Sequence, residues 1–93
     1  MNNKYITPDI LEVKALEDYL LYIVFDTNEI KIYDMKNLIN TIDFYKKLKD
    51  KDYFKQVKPM GETVVWNNGE DVCPENLYKD SINISEYNGN YMN

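Results

Sequence analysis

The chain contains no histidine and no arginine. Without histidine it lacks the side chain that ordinarily titrates near neutrality, both as acid–base catalyst and as metal ligand. Without arginine it has no planar fork for gripping phosphate or carboxylate through paired hydrogen bonds. Twelve asparagines, eleven lysines and abundant isoleucine and tyrosine point to AT-rich coding as the origin of the missing arginine. The chemical exclusion holds whatever that origin. Cysteine occurs once, at Cys73, so there is no internal disulfide and the fold does not depend on an oxidising compartment. No apolar run reaches the roughly 18 residues of a membrane-spanning helix. Met1-Asn2-Asn3-Lys4-Tyr5 lacks the basic-then-apolar pattern of a signal peptide. The expected compartment is the cytoplasm, with no membrane contact and no cofactor.

What is present suits one small globular domain with a single core. Of 93 residues, 44% are apolar and 29% charged. Nine tyrosines and three phenylalanines supply much buried area per residue. Net charge is −5 and unevenly placed. Residues 46–58 carry six lysines (Lys46, Lys47, Lys49, Lys51, Lys55, Lys58) against Asp50 and Asp52, or +4; the other eighty residues carry five lysines and fourteen acids, or −9. The lysine segment reads as a solvated helix end and loop. The overall negative charge disfavours direct nucleic-acid binding and favours a basic protein partner.

Residues 1–7 read as a loose N-terminus, residues 8–80 as the domain, and residues 81–93 as an Asn-rich tail with at most a short strand at Ile82–Ile84. Alternation over 10–16 predicts a strand with Leu11, Val13 and Ala15 on one face. Residues 19–25 are apolar on both faces, Tyr19, Leu21, Ile23 and Phe25 on one and Leu20, Tyr22 and Val24 on the other. Such a strand is central in its sheet. A hairpin over 26–29, with Asn28 at positive φ, leads to a third strand over 30–33. Asp34 is placed as the N-cap of a helix carrying Leu38, Ile39 and Ile42. A further helical turn over 44–48, a solvated break at 49–52, a strand over 54–58, a turn at Pro59-Met60-Gly61 and a strand over 63–66 follow. Pro74 suits the first position of a helix reaching Lys79 that docks Leu77 and Tyr78.

The order and spacing of these pieces resemble the bacterial domain-of-unknown-function family 2442 (DUF2442). The residues that carry the resemblance are Pro8, Ile10 and Val13; Tyr19, Leu21, Ile23, Phe25 and Asp26; Asp34 and Met35; Phe44, Leu48 and Asp50; Phe54 and Val57. The closing group is Trp66, Gly69, Asp71, Pro74, Glu75, Leu77 and Tyr78. The resemblance implies an α+β domain with a curved antiparallel sheet, of about five strands here, and two or three short helices. It does not imply an enzyme. Members of the family look like partners in small gene pairs of the toxin–antitoxin kind, some fused to a helix-turn-helix domain. This chain departs in lacking the hairpin glycine, with Thr27-Asn28 in its place.

No catalytic, metal-binding or cofactor-binding residues are assigned. Trp66, Gly69, Asp71, Pro74, Leu77 and Tyr78 are read as the structural motif of a strand–turn–helix junction rather than a pocket. Cys73 has no histidine to pair with and is read as a small helix-start residue. The acid pairs Glu17-Asp18 and Glu70-Asp71 fall in no recognisable metal-ligand series and are read as turn residues. What remains is a partner-binding surface built from Leu20, Tyr22 and Val24 and rimmed by Glu17, Asp18, Glu70 and Asp71. The expected function is a non-catalytic, acidic interaction module that binds and restrains a partner protein in the manner of an antitoxin, a homodimer being allowed. The alternative is a phage-encoded inhibitor of a host nucleic-acid enzyme, anti-CRISPR-like, that imitates phosphate charge. A small hydrolase or metal-binding enzyme fits least.

Overall fold

The computed structural model describes residues 7–87; the expected looseness of residues 1–6 and of the tail at 88–93 lies outside them. Thr7 is buried rather than loose, its hydroxyl donating to Glu62 at 2.6 Å. The main sheet has four antiparallel strands in the order β1-β2-β3-β6: β1 Ile10–Ala15, β2 Leu20–Phe25, β3 Ile30–Asp34 and β6 Ile82–Asn83. A separate hairpin pairs β4 Lys58–Met60 with β5 Thr63–Val65. Its turn meets the edge of β1, where the Ile10 amide donates to the Gly61 carbonyl at 2.8 Å. The helices are α1 Lys36–Thr41, a 3-10 helix Asp43–Lys49, α2 Lys51–Phe54 and α3 Pro74–Asp80. The α+β class stands, with six short strands in two sheets among the described residues. Because β6 belongs to the main sheet, the folded domain extends past residue 80. Among the described residues no helix is long and apolar enough to cross a membrane.

Strand β2 lies between β1 and β3, as its two apolar faces require. One face is the core. Leu21, Ile23 and Phe25 share a cluster with Tyr33 of β3, Met35 and Ile39 at α1, Leu48 of the 3-10 helix, and Tyr53 and Phe54 of α2. Ile10, Val57, Val64, Trp66, Val72 and Leu77 complete the same cluster. A bulge in β1 between Ile10 and Glu12 breaks the simple alternation. It turns Ile10 into the core and leaves Leu11 exposed, where unbroken alternation grouped Leu11 with Val13 and Ala15.

Two local expectations are corrected. The chain is helical at 51–54 where a break and then a strand were expected. Asp50 caps α2, its carboxylate accepting from the Asp52 and Tyr53 amides at 3.0 and 3.4 Å. A helix also lets the adjacent Tyr53 and Phe54 both reach the core, whereas a strand would send them to opposite faces. At α1 the N-cap position falls to Met35; Asp34 stands one residue earlier and its carboxylate accepts from the Lys36 amide at 2.8 Å. Asn28 adopts φ 76° in the β2–β3 hairpin, as its position there demands.

Candidate functional site: the second face of the main sheet

Strand pairing fixes what lies opposite the core. Directly paired residues in an antiparallel sheet share a face. Lys14 pairs with Tyr22, Tyr22 with Ile32 and Ile32 with Ile82, forming one row across all four strands. Glu12, Val24 and Ile30 form the next row. Ile84, whose amide donates to the Ile30 carbonyl at 2.8 Å, continues that row beyond β6. Leu20 pairs with Asp34 at the near end. Leu20 and Ile32 are 5% and 2% exposed yet stand outside the core cluster. Tyr22, Val24, Ile30 and Ile84 are half-buried and Ile82 is 46% exposed. The face is apolar, carries a tyrosine at its centre and keeps accessible surface.

The rim is built by one turn and one helix start. Between β1 and β2, Asp18 and Tyr19 both take positive φ, 64° and 60°, a conformation costly for a bulky side chain. The surroundings hold it there. The Tyr19 hydroxyl donates to the Lys49 carbonyl at 2.5 Å, its ring meets Phe54 edge-on at 5.3 Å, and the Met35 amide donates to its carbonyl at 3.0 Å. Lys36 Nζ donates to the Asp18 carbonyl at 3.1 Å and lies 3.2 Å from carboxylate oxygens of both Asp18 and Asp34. Partial burial works to lower the Lys36 pKa, but hydrogen bonds to Asp34 and Asp18 outweigh it and hold the pKa above the ordinary lysine value. On β1, Lys14 Nζ pairs with Glu12 at 3.3 Å and stands 5.7 Å from the Tyr22 ring centre. The rim thus holds Glu12, Asp18 and Asp34 against Lys14 and Lys36, a balance of −1.

Of the residues expected here, Leu20, Tyr22 and Val24 share the face, and Asp18 borders it through the Lys36 bridge to Asp34. Glu17 lies instead beside Lys51 and Phe54 of α2 and Lys55 just after it, and Glu70 and Asp71 are also elsewhere. These two lie on the core side, beyond β5. Glu70 is 6% exposed and accepts from the Tyr53 hydroxyl at 2.7 Å, while that same hydroxyl accepts from the Asn68 amide at 2.7 Å. Asp71 is exposed, and its carbonyl accepts from the Tyr45 hydroxyl at 2.7 Å. Two turn residues adjacent in sequence were grouped with a distant face because both are acidic; a buried tyrosine supplies what Glu70 needs instead. Ile30, Ile32, Ile82, Glu12 and Lys14 were missed as members of the face. The period-two alternation of β3 and the four-residue hairpin loop already carry the register that puts Ile30 and Ile32 beside Val24 and Tyr22.

The Trp66 junction is filled from inside. Trp66 stacks on Phe54 at 5.7 Å, and its indole N–H donates to the Phe54 carbonyl at 2.9 Å. Gly69 takes φ 99° and its amide donates to the Trp66 carbonyl, while the Trp66 amide donates to the Glu70 carbonyl, closing the turn. Pro74 is the first residue of α3, Leu77 is buried, and Tyr78 meets Phe25 edge-on at 5.1 Å. The Tyr78 hydroxyl donates to Glu29 at 2.6 Å and lowers that carboxyl's pKa. Lys31 is buried along its stem and donates to the Tyr78 carbonyl at 2.8 Å, near the C-terminal end of α3 where a cation is favoured. Cys73 is exposed and free. Among the described residues no three Asp, Glu or Cys side chains converge as a metal-binding group.

Comparison with curated proteins and with solved structures gave no match. Comparison with family profiles gave the family described as "Protein of unknown function (DUF2442)", matched over residues 10–83. That span runs from the first residue of β1 to the last of β6, and the chain belongs to this family.

Proposed function

We propose that this domain is a non-catalytic interaction module that binds and restrains a partner protein, antitoxin-like, through the second face of its main sheet. The single observation that carries the reading is the register-aligned apolar surface around Tyr22, which keeps accessible area outside the core. Tyrosine at the centre of such a patch gives large contact area at small entropic cost, and central aromatic residues dominate binding energy. The partner is a cytoplasmic protein, a toxin or a nucleic-acid enzyme, that meets this face with apolar residues and meets its acidic rim with a basic surface.

Charge plays the smaller part. Glu12, Asp18 and Asp34 already have lysine partners within the chain, so attraction steers encounter more than it holds the complex. The same pairing, with the burial of Glu70, leaves less support for a surface that imitates a phosphate backbone. Affinity capture from the native host tests the reading. Tyr22→Glu is expected to abolish capture of a specific protein, and raising salt to about 1 M, where screening acts within about 3 Å, is expected to leave most of it. Capture that persists with Tyr22→Glu places the contact elsewhere and sinks the proposal.

A further inference from the structure

We propose that the second face is also closed by a second copy of this chain, in a two-fold dimer that competes with the partner. This rests on the reading that the face is an interaction surface and adds its regulation. The two rows, Lys14–Tyr22–Ile32–Ile82 and Glu12–Val24–Ile30–Ile84, are equal in length and lie side by side. Sheets that pack face to face do so about 10 Å apart with strands within about 30° of alignment. A two-fold axis lying between two such sheets, perpendicular to the strands and midway between the rows, carries each row onto the other. Tyr22 then faces Val24 of the second copy and Ile82 faces its Ile84, while Ile32, already 2% exposed, lies beneath them.

The charges select this occupant. Glu12 and Lys14 sit two residues apart on β1, their side chains 47% and 64% exposed respectively. Under the same two-fold operation Glu12 meets Lys14 of the second copy and Lys14 meets its Glu12, so the β1 edge is complementary to itself. A uniformly basic partner would leave Lys14 against a like charge. A second copy matches both residues at once. Self-docking and partner docking use Tyr22 and Val24 alike, so each excludes the other and the partner must displace the copy.

The test is sedimentation of the full chain from about 1 µM to about 1 mM, with three variants. The wild-type chain is expected to pass from monomer to dimer in this range. Glu12→Lys and Lys14→Glu each place like charges across the two-fold and are expected to weaken self-association about tenfold or more. An equal mixture of the two is expected to form a heterodimer tighter than either homodimer, because one copy then presents only lysines and the other only glutamates. A role confined to the pair within one chain would not produce that rescue. Tyr22→Ser gives an uncharged route to the monomer. A wild-type chain that stays monomeric throughout, or a mixture no tighter than its components, overturns the dimer. Partner capture by the wild-type chain, lost with Tyr22→Glu, would then still stand as the separate measure of the function proposed above.

Discussion

At the scale of single residues, the most exposed to loss are those that satisfy a buried polar group. Tyr53 is one. Its hydroxyl is the donor to the buried Glu70 carboxylate and the acceptor for the Asn68 amide. Tyr53→Phe keeps the ring and removes both bonds, leaving Glu70 short of a partner. The expected cost is about 1–3 kcal/mol in urea unfolding at neutral pH. Trp66→Ala removes the largest fully buried side chain and its bond to the Phe54 carbonyl, and is expected to cost about 3–5 kcal/mol by the same measurement. Trp66 was legible as a packing residue because it ends an apolar strand just before Asn67-Asn68-Gly69. The burial of Glu70 was not, since nothing local distinguishes it from Asp71, and its donor Tyr53 lies seventeen residues upstream, between the expected break at 49–52 and the expected strand at 54–58.

Elements were read best where a pattern is long and uninterrupted. β2, with apolar residues on both faces, could only be a central strand, and it is. The hairpin after it, with Asn28 at positive φ, was equally plain. The reading failed where one residue resets the pattern. The β1 bulge swaps Leu11 out and Ile10 in, and Asp50 turns a lysine-rich stretch into a capped helix. The turn after Trp66 offers an element-scale test. Gly69 has φ 99°, and a Cβ built there meets nothing within 4 Å, so Gly69→Ala is opposed by backbone conformation alone. The expected destabilisation is about 1 kcal/mol or somewhat more, with unchanged circular dichroism. A larger loss would mean that the turn also excludes side-chain volume.

For the whole molecule, the tyrosines set the response to alkali. Burial, with Asp80 as the next contributor, pushes the Tyr33 hydroxyl from 10.0 up to about 12. Burial also raises Tyr45 and Tyr53, Tyr45 with the help of Asp71 and Tyr53 with that of Glu70. A hydroxyl that ionises less readily when folded contributes stability that is complete below its unfolded pKa and is lost as pH rises through its folded one. Unfolding midpoints are therefore expected to hold up to about pH 10 and to fall between about pH 10 and pH 12. Tyr33→Phe should flatten that fall, and a midpoint that declines just as steeply in the variant would show that other groups control it. The fold class and central strand were readable from pattern, as was the existence of an apolar second face. Its full membership was not, because it depends on which residues β3 and β6 set beside β2, a fact of pairing rather than of any one segment.

The placement of the single tryptophan has a practical consequence. Its indole lies in the core, stacked on Phe54, on the side of the sheet opposite Tyr22. Intrinsic fluorescence excited at the indole therefore reports loss of the native core, while an occupant arriving at the far side of the sheet leaves that emission unaltered. Melting and complex formation can accordingly be followed in the same cuvette as independent signals, with no label attached.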